Sequence, residues 1–120
     1  MGSAGSTLVD LIIKQNKNKI EAAKNEIKNL MSKSPTSVIS IVFKLMNGKS
    51  IIVPCFKSTN LFDVFLLLIE KAKDTEYSNI DKLKMYYNSV DISRHFCENT
   101  KEDVSSLKFT NDTPIIYINV

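Results

Sequence analysis

The residues best able to do chemistry in this 120-residue chain gather in one polar stretch, residues 93–103. Its candidate metal ligands, which can also act as acids and bases, are His95, Cys97, Glu98 and Asp103. Their spacing does not match a zinc site, because such sites place paired cysteines or paired histidines a few residues apart. One histidine and one cysteine in a polar loop therefore predict no metal site.

An enzyme also needs a nucleophile, a base or a phosphate-binding loop that converge on one pocket. The sequence has no paired carboxylates on one helical face, no glycine-rich loop and a single histidine. Its two cysteines, Cys55 and Cys97, form no CxxC pair, which favours reduced thiols in an intracellular protein. We therefore expect no catalytic residue, no cofactor and no metal, in a soluble protein of the cytoplasm or nucleus.

The net charge of +3 comes from the first 33 residues, which contain six lysines and three acidic residues. A basic helix can bind nucleic acid, but acids lie between these lysines and no arginine or aromatic residue accompanies them. The longest unbroken apolar run, residues 64–69, is too short to span a membrane. We therefore expect a protein partner, with no nucleic acid partner and no membrane span.

The first element of the chain is a helix predicted over residues 7–33, after a tag-like or disordered start at 1–6. Its apolar residues recur at alternating spacings of four and three, as in a coiled-coil seam. The seam consists of Val9, Ile13, Asn16, Ile20, Ala23, Ile27 and Leu30. A helix of this length draws most of its stability from packing, so the seam needs a partner. That partner is a second copy, another protein, or the chain's own domain, including the open face of its sheet.

A second unit begins after Pro35, which cannot continue a helix. The run 38–55 predicts a β-hairpin around Asn47-Gly48, because both residues tolerate the positive φ angles of a tight turn. A helix from Leu61 to about Lys73 is apolar on more than one face, and we favour cover by the first helix over a binding patch. The remaining predicted elements are a polar connection at 74–81, strands at Leu83–Tyr87, Val90–Ile92 and Ile115–Val120, and a helical turn at 104–107.

In this order the elements resemble those of ubiquitin-like β-grasp domains. The hairpin KLMNGKSII is similar to that of ubiquitin, and the likeness continues through 58–64, 83–92 and 104–109. The resemblance implies an α+β fold in which a mixed sheet packs on the second helix, with residues 34–120 folding as one domain. It also implies a core drawn from every element: Ile41, Phe43, Ile51, Val53, Leu61, Val64, Leu68, Met85, Ile92, Val104, Leu107, Ile115 and Tyr117.

The resemblance further implies a protein-interaction module, of the adaptor type, that binds through the outer face of its sheet. The chain stops at Asn119-Val120 without the diglycine tail of conjugating members, so we expect a non-conjugated domain. The positions of ubiquitin's apolar patch correspond to Met46, Tyr86, Ile116 and Ile118. We expect these four side chains to point away from the second helix. The first helix, from the same chain or a second copy, or a separate partner should then cover them.

Two other functions remain open at this point. The chain could be an assembly or scaffold subunit that self-associates or anchors through its N-terminal helix. It could also be a Ras-binding type of β-grasp domain, which pairs its edge strand with a strand of its partner.

Overall fold

The computed structural model describes residues 8–46, 48–72 and 84–119, without the side chains of Leu8 and Val9. The predictions for residues 1–6, for Asn47 and for the connection at 74–81 fall outside these ranges. The helices are α1 (Leu8–Gln15), α2 (Lys17–Lys33) and α3 (Leu61–Ala72). The strands are β1 (Ile39–Lys44), β2 (Ser50–Cys55), β3 (Lys84–Tyr87), β4 (Val90–Asp91) and β5 (Ile115–Asn119). Short 3-10 helices lie at Pro35–Ser37, Ser93–Phe96 and Val104–Leu107.

The five strands form one mixed sheet in the order β2, β1, β5, β3, β4. β1 is antiparallel to β2 and parallel to β5, and β3 is antiparallel to both β4 and β5. α3 packs across one face of this sheet and buries its apolar residues there. A hairpin whose first strand runs parallel to the last strand, wrapped around a helix, is the β-grasp arrangement. The predicted α+β fold of ubiquitin-like domains is therefore confirmed.

Both hairpins use turn residues with positive φ angles. Gly48 has φ +88° in the turn between β1 and β2, a conformation that glycine adopts without steric strain. Asn88 and Ser89 have φ of 51° and 68° and connect β3 to β4, as in a type I′ turn. Such turns match the right-handed twist of paired strands, so the β1–β2 hairpin forms as predicted and β3 and β4 form a second hairpin.

The N-terminal segment differs from the prediction, because the single long helix is interrupted at Asn16. The backbone there has φ −113° and ψ 20°, outside the usual helical values. The Asn16 side-chain amide donates a hydrogen bond of 2.9 Å to the Ile12 carbonyl oxygen. Asparagine side chains compete in this way for backbone groups inside a helix. We call α1 and α2 together the arm; its seam is buried at Ile20, Ala23 and Ile27.

The arm packs against α3 rather than against the open face of the sheet. Lys24 Nζ lies 2.7 Å from a Glu70 carboxylate oxygen, and Lys19 Nζ lies 5.5 Å from the centre of the Phe62 ring. The arm-facing stripe of α3 is buried and contains Phe62, Leu66 and Ile69. By helical spacing it lies opposite Leu61, Val64 and Leu68, the stripe that faces the sheet. The second apolar face of α3 is thus covered by the arm, as predicted.

Most of the core implied by the resemblance is buried: Ile41, Phe43, Ile51, Val53, Leu61, Val64, Leu68, Met85, Ile92 and Val104. Leu107 is half-buried against this core. Ile115 and Tyr117 are exposed, so their assignment to the core is wrong. No helix in the described part of the chain combines the length and apolarity needed to cross a membrane.

Candidate protein-interaction surface on the sheet

Strand β5 presents to solvent the residues that were expected in the core. Ile116 and Ile118 are 0% and 3% exposed, whereas Ile115 and Tyr117 are 39% and 55% exposed. Ile118 pairs with Met85, which is also buried beneath α3. The prediction that Ile116 and Ile118 lie on the outer face is therefore wrong. A phase error of one residue exchanges the two faces of a strand, because side chains alternate between them.

The error arose because β5 is apolar on both faces, so alternation of apolar and polar residues could not fix its phase. One signal in the strand does indicate the correct phase. Asn119 is the only polar residue of β5, and it shares a face with Ile115 and Tyr117. A polar residue near a strand end favours the solvent side, which identifies 115, 117 and 119 as the outward set.

The other two predicted patch residues are accessible. Met46 is 65% exposed beside the hairpin turn. Tyr86 is half-buried and lies on the opposite side of β3 from the inward-pointing Met85. Their role in binding stays a prediction.

We define the open sheet face by residues that point away from α3 and pair across neighbouring strands. They form two rows, the first Ile52, Val42 and Ile115, and the second Ser50, Lys44, Tyr117, Tyr86 and Asp91. The first row is entirely aliphatic and crosses β2, β1 and β5. The second row has two tyrosines with Lys44 on one side of them and Asp91 on the other. The face is thus apolar and aromatic, with one charge of each sign beside its tyrosine pair.

The charge at the β4 end of this face is well fixed. Asp91 accepts hydrogen bonds from the Ser93 hydroxyl at 2.6 Å and from the Ser93 backbone N–H at 2.9 Å. These bonds hold the pKa of the Asp91 carboxyl below its ordinary value, first through the hydroxyl and then through the backbone. The carboxylate therefore stays ionised at neutral pH. Lys44 of β1 carries the opposite charge and lies in the same row, on the other side of the two tyrosines.

The residues first considered for chemistry lie in the segment that follows β4. His95 Nδ1 lies 2.9 Å from a Glu102 carboxylate oxygen, and Cys97 is exposed nearby in the chain. Burial raises the pKa of the Cys55 thiol to about 12, so this side chain packs as a neutral core residue. Across residues 8–46, 48–72 and 84–119, no three His, Cys, Asp or Glu side chains are grouped to hold a metal ion.

The free edge of β2 is partly blocked against strand addition. Lys71 Nζ donates a hydrogen bond of 2.6 Å to the Ile52 carbonyl oxygen, which therefore points away from β1. Pro54 lies two residues further along the same edge and has no N–H to offer. Lysine and proline are residues with which natural proteins protect sheet edges. A partner strand would find few main-chain groups to pair with there.

Comparison with known proteins adds two structural likenesses. No protein-family model and no curated protein matches the sequence. The chain is similar to the solution structure of the UBL domain of yeast Ddi1, with 15% identity, a TM-score of 0.48, and coverage of 69% of this chain and 88% of that one. It is also similar to a chain from a structure of molecular mimicry of SUMO that promotes DNA repair, with 6% identity, a TM-score of 0.49, and coverage of 70% and 92%.

The fold is that of ubiquitin-like β-grasp domains. Strand order, strand pairing and the helix across the sheet carry this assignment independently of those likenesses.

Proposed function

We propose that this protein is a non-catalytic interaction module that binds a protein partner through its open sheet face. One observation carries the proposal: Ile52 of β2 and Ile115 and Tyr117 of β5, the two strands that flank β1, are exposed on the same face of the sheet. A sheet face that stays in water normally carries polar residues on that side. A contiguous exposed apolar surface is instead typical of an interaction site.

The energetics of such a site favour binding. Full burial of one large apolar side chain is worth about 1.5 to 3 kcal/mol. Tyrosine is also among the residues that most often dominate binding energy at interfaces, and Tyr117 lies near the centre of this face. Lys44 and Asp91, which pair with Tyr117 and Tyr86 respectively, would orient a partner, since charges at an interface mainly set specificity.

The position of the arm supports the sheet face over the alternatives. Because the arm lies on α3, it leaves the open sheet face uncovered within the chain. Self-association through the seam would require the arm to leave α3, since Ile20, Ala23 and Ile27 are already buried. A Ras-binding mode would require pairing on an edge strand, and on the edge strand β2 Lys71 and Pro54 hinder such pairing.

Site-specific photo-crosslinking tests this proposal. A benzophenone amino acid placed at Tyr117 should form a crosslink with a partner in an extract of the cells that produce the protein. The same amino acid at Asn25, exposed on the arm, is the matched control and should form none. Adding Ile52→Asp to the Tyr117 probe should abolish the adduct without changing the circular dichroism spectrum. Adducts at Asn25 with none at Tyr117 would overturn the proposal.

A further inference from the structure

A groove of about 700 Å³ adjoins the open sheet face at its β3 and β5 side. It is lined by Tyr86 and Tyr117 of the sheet and by Asn88 and Ser89 of the β3–β4 turn. Asn111 and Thr113, in the chain leading into β5, also line it. The groove therefore continues the tyrosine row toward one end of the sheet.

The chemistry of this groove differs from that of the rest of the surface, because none of the described residues lining it is charged. Its lining is tyrosine, asparagine, serine and threonine with one isoleucine and one proline. Tyrosine provides rigid contact area, and asparagine and serine provide adaptable hydrogen bonds, the combination found in antibody combining sites. Such a lining suits an uncharged segment, since a charged one would lose hydration without gaining a counter-charge.

Two aromatic side chains lie next to each other in this groove. Tyr117 and Tyr86 are directly paired on antiparallel strands, so their side chains stand side by side. The next residue, Tyr87, lies on the other face of β3 and packs edge-on against Phe109, with ring centres 4.9 Å apart and an interplanar angle of 80°. The Tyr86 and Tyr117 rings together form an aromatic platform for flat apolar groups.

Hydrogen-bond donors line the same groove. Asn111 Oδ1 accepts a bond of 2.8 Å from the Thr113 N–H, which leaves the Asn111 amide nitrogen directed to other acceptors. The tyrosine, serine and threonine hydroxyls add further donors. A ligand that fits should therefore present apolar rings together with unsatisfied carbonyl oxygens.

We propose that this groove binds an uncharged, proline-rich segment of a partner in the polyproline II conformation. That conformation has no internal hydrogen bonds, so its carbonyl oxygens are free to accept from the groove. Its proline rings pack between aromatic side chains, and its preformed shape lowers the entropy lost on binding. This inference rests on the proposed function, because Tyr86 and Tyr117 belong to both the groove and the open sheet face.

Titration of the ¹⁵N-labelled full chain with a proline decamer, blocked at both ends, tests the inference. Saturable amide shifts should centre on Tyr86, Asn88 and Tyr117, and a glycine-serine decamer should produce none. Tyr117→Ala should weaken binding about tenfold, which corresponds to about 1.4 kcal/mol. Met31→Ala, at an exposed site on the arm outside both the groove and the open sheet face, should change affinity less than about twofold. The amide spectrum of each variant shows that it is folded.

Three results would overturn the inference. They are no saturable binding of the proline decamer, equal loss of affinity in both variants, or binding of an uncharged oligosaccharide, cellotetraose, in place of the decamer. If the decamer fails while the crosslink at Tyr117 forms, the proposed function stands and only the ligand class is wrong. If both fail, the open sheet face is not a binding surface.

Discussion

The two sides of this protein carry apolar surfaces of similar character, yet only one is covered within the chain. On the helical side, Phe62, Leu66 and Ile69 of α3 are buried beneath the arm. On the sheet side, Ile52, Ile115 and Tyr117 remain exposed on the open sheet face. The difference shows that an apolar stripe in a sequence identifies a surface that needs cover but does not identify what covers it.

The polar contacts around these two surfaces also differ. At the arm, Lys24 bonds to Glu70 and Lys19 stacks on Phe62, so charged groups align the arm on α3. On the open sheet face, the Asp91 carboxylate is held by its own neighbour Ser93. The charged residues of the covered side therefore contact a different helix, whereas Asp91 on the open side bonds to a residue two positions along the chain.

The largest expected effect comes from changing neighbouring residues of β5. Ile116→Asp buries a charge in the core and should cost about 4 kcal/mol or more, enough to unfold a marginal domain. Tyr117→Asp, one residue on, should cost less than about 1 kcal/mol because its side chain stays in water. Urea denaturation of both variants measures the difference. Equal destabilisation would show that the two faces of β5 are assigned incorrectly.

Shortening a seam residue of the arm should have the next largest effect. Ile27→Ala removes a buried side chain between α2 and α3 and should lower the free energy of unfolding by about 2 to 4 kcal/mol. Met31→Ala, on the same helix but exposed, is the control and should change it by less than about 0.5 kcal/mol. A negligible effect of Ile27→Ala on the denaturation midpoint would mean that the arm is not docked in solution.

A stabilising change is expected at the turn that borders the open side. Ser89 has φ +68°, which costs energy for any residue with a Cβ, so Ser89→Gly should raise the free energy of unfolding by about 0.4 to 1 kcal/mol. Ser50→Gly, in β2 without such a φ angle, should instead lower it by about 0.5 to 1 kcal/mol. Thermal denaturation distinguishes the two signs. A loss in both variants would contradict the type I′ turn.

The pKa values of two carboxyl groups, one on each side of the protein, are shifted in opposite directions. Burial, followed by repulsion from Glu26, raises the pKa of Asp63 at the arm, whereas hydrogen bonds from Ser93 lower the pKa of Asp91. A raised pKa stabilises the fold at acidic pH and loses that contribution as pH rises through the folded pKa of Asp63. A lowered pKa contributes above the unfolded value of Asp91, and this contribution is lost as pH falls through its folded pKa.

The variant Glu26→Gln separates the two causes of the raised Asp63 pKa, burial and repulsion from Glu26. It removes one of the charges that repel Asp63, so the pKa of Asp63 should fall but stay above its ordinary value because burial persists. The free energy of unfolding at pH 7 should rise by about 0.2 to 0.5 kcal/mol. Glu21→Gln on the same helix is the control and should leave the pKa of Asp63 unchanged. Carboxyl ¹³C titration by NMR measures both, and an unchanged pKa in Glu26→Gln would argue against the arm position.

Much of the fold could be predicted because local signals agreed with the tertiary structure. The Asn47-Gly48 turn predicted the β1–β2 hairpin, and seam spacing predicted burial of Ile20 and Ile27. Spacing reports which face of a helix is buried but carries no information about its partner. The sequence therefore left the arm free to pack on the sheet, on another chain or on α3. Only side-chain contacts such as Lys24 to Glu70 distinguish these arrangements.

The candidate site was predicted less well than the fold. The position of Met46 followed from a turn and the outward direction of Tyr86 from its alternation with Met85, whereas the phase of β5 was hidden by its apolar composition. The β2 edge could not be predicted either, because Lys71 and Ile52 meet only after folding. Asn16 shows the same limit, since a seam position in the pattern became a break in the helix.

One measurement compares the two sides directly: paramagnetic relaxation of isoleucine methyl groups by a soluble gadolinium chelate. The full chain at low concentration should show fast relaxation at Ile52 and Ile115 and protection at the buried isoleucines, which include Ile20, Ile27, Ile69 and Ile116. That result would place the arm on α3 and leave the sheet face open in solution. Fast relaxation at Ile20, Ile27 and Ile69, or protection of Ile52 and Ile115, would contradict the account.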